Sequence, residues 1–405
     1  MTKKQDSFEK NGMLIFAISI FASGLNYLFQ ILSGRLLDTA DYGQINSLFS
    51  IINILTVLGS ALGLSITKHI AESNHEVGGN IKRILKHAMW IMPIVMIMMT
   101  IIILAINRTD LYTSIVTAVA TYAMAVAFIF FSILQGKKMF TNVGIFNLIQ
   151  PAFKFVVGIV LLLIGLRYQS IMYVMAIGAI LAMIYGYRKS KNVIDFSANA
   201  NNNEVKLIYK YFVFTFISTI CLTIFNNIDI LIIKQFFDET ATGMYSSAAL
   251  FGKIILYIPT ALITMMVPLV AESKTKEEAT SALKKTFAYS IILSGIACAG
   301  LYILRTFIIK LLMGEKFLEA TEFVLPVCVM MLSLVCATVF INYLIAKGDK
   351  WFTTVVCMIF VAIALITVLL IHSTISQIIY TLATIYLVLF VILLIRTLFL
   401  NKRKD

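Results

Sequence analysis

The stretch NYLFQILSGRLLDTADYG, residues 26–43, and its counterpart NNIDILIIKQFFDETATG, residues 226–243, decide how this chain folds. Each closes an apolar run with a basic residue, Arg35 in one and Lys234 in the other, then places an aspartate, Asp38 or Asp238, and a glycine, Gly43 or Gly243, where the next run opens. A shift of 200 without a gap aligns identical residues from Phe16 on Phe216 to Ser73 on Ser273, with Asn26, Ser47, Ala61 and Glu72 among them. Further on, GKKMFTNV from Gly136 matches GDKWFTTV from Gly348 at a shift of 212. The chain reads as two copies of one unit.

Working outward, twelve runs are apolar over the ~20 residues that a helix needs to cross a bilayer. They begin near Met13, Tyr42, Met89, Tyr112, Val143, Ser170, Leu207, Gly243, Phe287, Thr321, Thr353 and Ser376. With 60% hydrophobic and 13% charged residues, the chain has too few charges to cover a water-exposed globule. The first run is too long for a signal-peptide core and is read as a retained helix. The fold class expected is therefore all-α integral membrane, about twelve transmembrane helices in two pseudo-symmetric six-helix bundles around a central cavity. Residues 1–195 form the first bundle, 196–206 a cytoplasmic linker through an Asn-rich patch, and 207–405 the second. Six helices per copy is an even number, so both copies enter from one side, as in transporters with parallel repeats.

Charge gives the orientation. With both termini in the cytoplasm, 24 of the 33 lysines and arginines fall on that side and 7 on the other. Lys154 and Lys253 complete the count from inside helices. The net charge of +13 is accordingly topological signal and attraction for anionic headgroups, with no call for nucleic acid. The five cysteines lie in apolar runs without metal-ligand spacing and read as small core residues. No metal site is expected.

Polar residues within the runs recur at helical spacing. Ser19, Ser23, Asn26, Gln30 and Ser33 share one face of the first helix, and Thr219, Thr223 and Asn226, followed by Asp229, share the equivalent face of the seventh. The second helix offers Asn46, Ser50, Asn53 and Ser60, and the eighth Ser246, Lys253, Tyr257, Thr260 and Thr264. Two readings stand: interhelical hydrogen bonding within a bundle, or the wall of a water-filled cavity between the halves. For the second, the cavity candidates are Lys154, Lys253, Asn26, Asn226, Asn53 and Tyr257. A central lysine costs roughly 2.5–3.5 kcal/mol to insert, so Lys154 and Lys253 either neutralise a buried acid such as Asp229 or attract an anionic ligand. Asp229, toward the outer end of its helix, is a candidate proton or sodium site or a displaceable counter-ion. Arg35 and Lys234 are outer-face cations, either paired locally with Asp38 and Asp238 or part of an outer gate. Pro259 and Pro268 mark the eighth helix as a bending element, and Gly59 and Gly63 form a GxxxG pair able to seat the second helix on a neighbour.

Gly34-Arg35-Leu36 followed by Asp41-Tyr42-Gly43 at the head of helix two resembles the polysaccharide-type (Wzx-like) flippases of the multidrug/oligosaccharidyl-lipid/polysaccharide exporter superfamily. Twelve helices in two lobes and short outer loops fit that resemblance along the whole chain. It implies flipping of undecaprenyl-diphosphate-linked oligosaccharide from the cytoplasmic to the outer leaflet of a bacterial plasma membrane, for capsule, O-antigen or exopolysaccharide. Helices one, two, seven and eight would line the cavity, and the polysaccharide polymerase machinery would be a partner. No cofactor is implied; coupling to a proton or sodium gradient would run through Asp229. Lipid II flippases usually carry fourteen helices and several cavity arginines, where this chain has twelve helices and lysines, a more weakly directional ligand for diphosphate. A multidrug antiporter of the same superfamily, with cationic substrates, would call for acidic cavity residues. A membrane-embedded polysaccharide enzyme would need a catalytic constellation, and the four dispersed histidines, His69, His75, His87 and His372, supply none.

Overall fold

The computed structural model describes the backbone of residues 2–72 and 77–402 and the side chains of 17–72 and 77–400. Residues Ser73 and His75, and the side chains of Phe16, Lys3, Lys4 and Lys10, lie outside the described residues. Twelve helical spans among the described residues are long and apolar enough to cross a membrane, and the described elements are all helical. The first copy comprises α1 (Thr2–Leu36), α2 (Thr39–Leu55), α3 (Val57–Glu72), α4 (Gly78–Asn107), α5 (Leu111–Gly136), α6 (Phe140–Leu163) and α7 (Gln169–Lys191). The second comprises α8 (Asn202–Phe236), α9 (Glu239–Tyr257), α10 (Thr260–Glu272), α11 (Lys276–Ile303), α12 (Arg305–Leu312), a 3-10 stretch (Glu315–Phe323), α13 (Val324–Ala346), α14 (Lys350–Leu370) and α15 (Ile375–Lys402).

The shift of 200 holds in three dimensions. Both opening helices are 35 residues long and begin 200 positions apart. Asp38 is the N-cap of α2, accepting from the Asp41 N–H at 2.7 Å, and Asp238 is the N-cap of α9, accepting from the Ala241 N–H at 2.7 Å. An aspartate in that place satisfies an orphan amide and complements the helix dipole. The shift of 212 is corrected to 210. Lys137 and Lys347 are the C-caps of α5 and α13, and the same paired bonds follow, Met139 N–H to Leu134 O and Asp349 N–H to Leu344 O, both at 2.9 Å. That turn needs one residue of positive φ, which Lys138 supplies in the first copy (φ 55°) and Gly348 in the second (φ 94°). The glycine therefore sits two positions away from where letter matching aligns it.

Each copy also breaks its second span. α9 stops at Tyr257 and α10 restarts at Thr260 with Pro259 as N-cap, as the proline predicted, whereas Pro268 lies inside α10 without ending it. The first copy breaks at Thr56, between α2 and α3, with no proline.

The chain divides into two compact units, ending at Ile220 and beginning at Cys221, a division that falls inside α8. In the first unit α5 is central, with α3, α4 and α7 packed on it, and α6 packs on α1 and α7; in the second α13 is central, with α9, α11 and α15 on it. The α3–α5 contact explains Gly59 and Gly63. A Cβ at Gly59 would overlap the Ala125 backbone, and one at Gly63 would overlap Ser132 Oγ and lie 3.2 Å from the Phe128 carbonyl. A small-xxx-small pair lets the two helix backbones approach, which is what drives association where lipid is as apolar as leucine. The segment 194–201 covers the start of α4: Asn80 Oδ1 accepts from the Asn201 N–H at 2.7 Å, and Nδ2 of Asn80 donates to Glu204.

These contacts give a signed prediction. Gly59→Ala forces backbone apart and lowers the Tm in detergent, by the ~1–3 kcal/mol typical of overpacking. Gly24→Ala, where an added Cβ meets nothing within 4 Å, is neutral or gains up to ~1 kcal/mol from helix propensity. Equal effects of the two substitutions would refute the close approach of α3 and α5.

Candidate functional site

In the first unit Lys154 projects from the middle of α6 and is 6% exposed. Its ammonium lies 5.0 Å from the ring centroids of both Phe29, on α1, and Phe49, on α2, whose centroids are 6.3 Å apart. The local sequence arranges this. Gly158, one turn beyond Lys154, leaves no Cβ against Phe29, whose Cε2 would otherwise be 2.8 Å away, so the ring can approach α6 beside the lysine. Among the described residues no carboxylate comes within 4.0 Å of the Lys154 ammonium. Two aromatic faces compensate the charge by roughly 1–2 kcal/mol each when desolvated, but they accept none of its three N–H bonds. What remains is a positive group with directional bonds to give and no fixed acceptor.

The other buried cation is arranged differently. Lys234 is 1% exposed and donates to Glu239 at 2.5 Å. Sequence spacing offered Asp238 as its partner. Asp238 is instead occupied as the α9 N-cap, and the next residue, in the first turn of α9, takes the ammonium. Lys234 is thus enclosed in the second unit, while Arg35 is exposed. An ion pair that spacing did not suggest joins Arg167, in the α6–α7 loop, to Asp41 in the first turn of α2: Nε to Oδ2 at 2.9 Å and Nη2 to Oδ1 at 2.7 Å. Those bonds from Asp41 raise the guanidinium pKa above its usual value.

In the second unit Asp229 is 1% exposed, fully enclosed instead of reaching an interface. The Tyr245 hydroxyl, on α9, donates to its Oδ2 at 2.7 Å, and Oδ1 has no hydrogen-bond partner among the described residues. Lys253 is not within ion-pair distance of it, so within this unit the lysine does not serve as the acid's counter-ion. Lys253 is half-buried, Tyr257 is 58% exposed and Asn53 is exposed. Asn26 and Asn226 occupy equivalent half-buried positions, and the Asn226 amide bonds back to the Leu222 carbonyl at 2.7 Å. Elsewhere on the stripes the polar groups are turned inward on their own helices: Asn46 Nδ2 donates to the Tyr42 carbonyl at 2.8 Å, and Ser50 to the Asn46 carbonyl at 3.0 Å. The structure brings Lys154 together with two phenylalanines and Asp229 with a tyrosine. Spacing pointed to neither partnership, because an aromatic residue within an apolar run carries no distinguishing signal.

A family model described as polysaccharide biosynthesis protein matches residues 8–274. The chain belongs to that family. An uncharacterized membrane protein of Methanocaldococcus jannaschii is 25% identical over 309 residues, 72% of this chain and 73% of that protein. Among solved structures, an inward-facing multidrug resistance MATE family transporter of the MOP superfamily superposes with a TM-score of 0.76 at 12% identity, covering 97% of this chain and 99% of that one. The lipid II flippase MurJ in an inward closed conformation gives 0.75 at 14% identity, covering 95% and 87%. The fold is that of this transporter and flippase superfamily, and the chain is a multi-pass membrane protein.

Because no carboxylate among the described residues lies within 4.0 Å of the Lys154 ammonium, its removal leaves no ion-pair partner behind. Lys154→Met is expected to leave the Tm in detergent unchanged or raised, since it deletes an ammonium that is costly to insert. A Tm drop of several degrees would mean that the lysine is tied to a structural partner.

Proposed function

We propose that this member of the polysaccharide biosynthesis family is a flippase, not an enzyme, that moves undecaprenyl-diphosphate-linked oligosaccharide from the cytoplasmic to the outer leaflet of a bacterial plasma membrane. In this reading both termini are cytoplasmic and the cargo serves cell-surface polysaccharide assembly, handed on to polymerase machinery. The observation that carries it is Lys154: a membrane-buried ammonium with an aromatic cage and no carboxylate is a site for an anion, and a diphosphate supplies acceptors that the cage lacks. The match to a lipid II flippase fold supports a lipid-diphosphate cargo. The sugar-diphosphate headgroup is taken up within the protein while the polyprenyl tail stays in lipid. Lys154 and Lys253 neutralise the diphosphate, and Asn26, Asn53, Asn226 and Tyr257 bond the headgroup. Alternating access, with the two states binding the cargo differently, moves it across.

Asp229 is the candidate coupling group. A buried carboxylate with one oxygen bonded to Tyr245 and the other open can take a proton or a small cation there. Asp229→Asn retains an acceptor for the tyrosine, so the fold is expected to hold while the dependence of transport in vesicles on an imposed proton or sodium gradient disappears. An unchanged gradient response in that variant would remove Asp229 from coupling.

The substrate is tested by native mass spectrometry of the purified chain with an equimolar panel of undecaprenyl-diphosphate sugars, ordinary phospholipids and cationic drugs. Selective retention of the diphosphate lipid is expected, weakened in both Lys154→Ala and Lys253→Ala. Loss of one charge-assisted bond, ~1.5–3 kcal/mol, corresponds to about 10- to 100-fold in affinity. Retention of the drugs, with indifference to both lysines, would favour the antiporter reading suggested by the MATE-like fold.

A further inference from the structure

A second feature of the first unit lies away from Lys154. α4 and α7 both pack on α5, and between them runs an apolar slot of about 460 Å³ that opens into a wider mouth of about 970 Å³. One face of α4 organises both. Lys82, Lys86, Met89, Met92 and Met96 follow at spacings of four, three, three and four, so lysines head the stripe and methionines continue it. Lys82 and Lys86 are exposed at the mouth, beside Trp90, which is 76% exposed. Beyond them the slot is closed by Tyr122 and Val126 of α5 and Met183 of α7. The polar tip in that wall is already used, since the Tyr122 hydroxyl donates to the Ala88 carbonyl at 2.8 Å.

Among the described residues no carboxylate forms an ion pair with Lys82 or Lys86. Asp195 Oδ1 accepts from the Ser197 N–H at 2.7 Å and from Ser197 Oγ at 2.6 Å, bonds that hold its carboxyl below the usual range, so it stands as one negative charge against two lysines and leaves the mouth net positive. From Leu85 to Met96 the lined face of α4 rises about 16 Å, roughly half of the ~30 Å hydrocarbon core. The slot therefore has the length of one leaflet, and its mouth is at the end of α4 where lysine and arginine are concentrated. Methionine, flexible and polarizable, suits a wall that must fit a mobile chain.

We propose that this groove binds one anionic phospholipid of that leaflet, its phosphate between Lys82 and Lys86 and one acyl chain laid along Met89, Met92 and Met96. Basic residues at the mouth match an anionic headgroup, and the length of the slot matches one leaflet's acyl chain, not the much longer tail of a polyprenyl carrier.

The chain has two tryptophans, so Trp351→Phe leaves Trp90 as sole reporter at the mouth. The full chain with that substitution is placed in phosphatidylcholine vesicles containing a small fraction of bromine-labelled lipid. Labelled phosphatidylglycerol is expected to quench Trp90 several-fold more effectively than labelled phosphatidylcholine at equal fraction. Lys82→Ala with Lys86→Ala abolishes the preference, and Ala88→Phe, which keeps both lysines but fills the slot, weakens quenching by either lipid. Equal quenching by the two lipids in the parent, or a preference that survives loss of both lysines, overturns the proposal. Relief of quenching by undecaprenyl phosphate at a fraction well below that of the phosphatidylglycerol also overturns it, making the groove a polyprenyl site.

Discussion

A charge inside the hydrocarbon layer has to be answered by the protein, because no water is there to answer it. In this chain the buried charges are answered in three ways. Lys234 has a carboxylate, Glu239, on the next helix. Asp229 has a single hydroxyl donor and one oxygen left open. Lys154 has, among the described residues, the faces of two phenylalanine rings and no ion-pair partner. The first is a closed account: its removal would expose a partner and its presence fixes the α8–α9 junction. The other two are incompletely satisfied, and an incompletely satisfied buried group is where a ligand's own polar atoms are worth most, since in low dielectric a new bond is strong and an unmade one is costly.

The internal repeat allows the two open sites to be compared position by position. By the shift of 200, Phe29 of the lysine cage corresponds to Asp229, and Phe49 to Ala249; by the shift of 210, Lys154 corresponds to Ala364. Ala249 and Ala364 are fully buried. The second copy has thus replaced the cage's ring and lysine with alanines and put a carboxylate where the first copy keeps an aromatic face. Equivalent positions therefore bear opposite chemistry, and the proposed function gives anion recognition to the first copy and ion coupling to the second.

Much of this was legible in the sequence because it depends on local rules. Span count follows from apolar length, whereas Asp38 and Asp238, which spacing offers as partners for Arg35 and Lys234, serve as helix caps. The Gly59/Gly63 contact follows from the absence of side chains at one-turn spacing. What was not legible depends on partners remote in the chain. Phe29 and Phe49 are two of 29 phenylalanines, most of them serving packing, and nothing in their spacing to Lys154 marks them. Arg167 and Asp41 lie 126 positions apart. The polar stripes keep one helical period, yet Asn46 and Ser50 spend their donors on carbonyls of their own helix; period alone cannot say whether a side chain looks outward or bonds back.

The broken spans join these strands. Interrupting a helix in a membrane frees carbonyls that something must cover, and irregular backbone is tolerated there only where it is enclosed by protein or faces water. At the first break Thr56 Oγ1 donates to the Asn53 carbonyl and Ser60 Oγ to the Val57 carbonyl; at the second Thr260 Oγ1 donates to the Tyr257 carbonyl and Thr264 Oγ1 to that of Thr260. The first break has no proline and the second has one, so the feature is shared by the two copies through different chemistry. Exposed polar side chains stand beside both breaks, Asn53 at the first and Tyr257 at the second, with half-buried Lys253 one turn before Tyr257. A break placed only to fit packing would have no reason to coincide with polar exposure in both copies. The backbone stays in the right-handed helical region at both breaks, so each is a local change in the hydrogen-bond ladder flanked by polar side chains, and those side chains are the ones the proposed function gives to the headgroup.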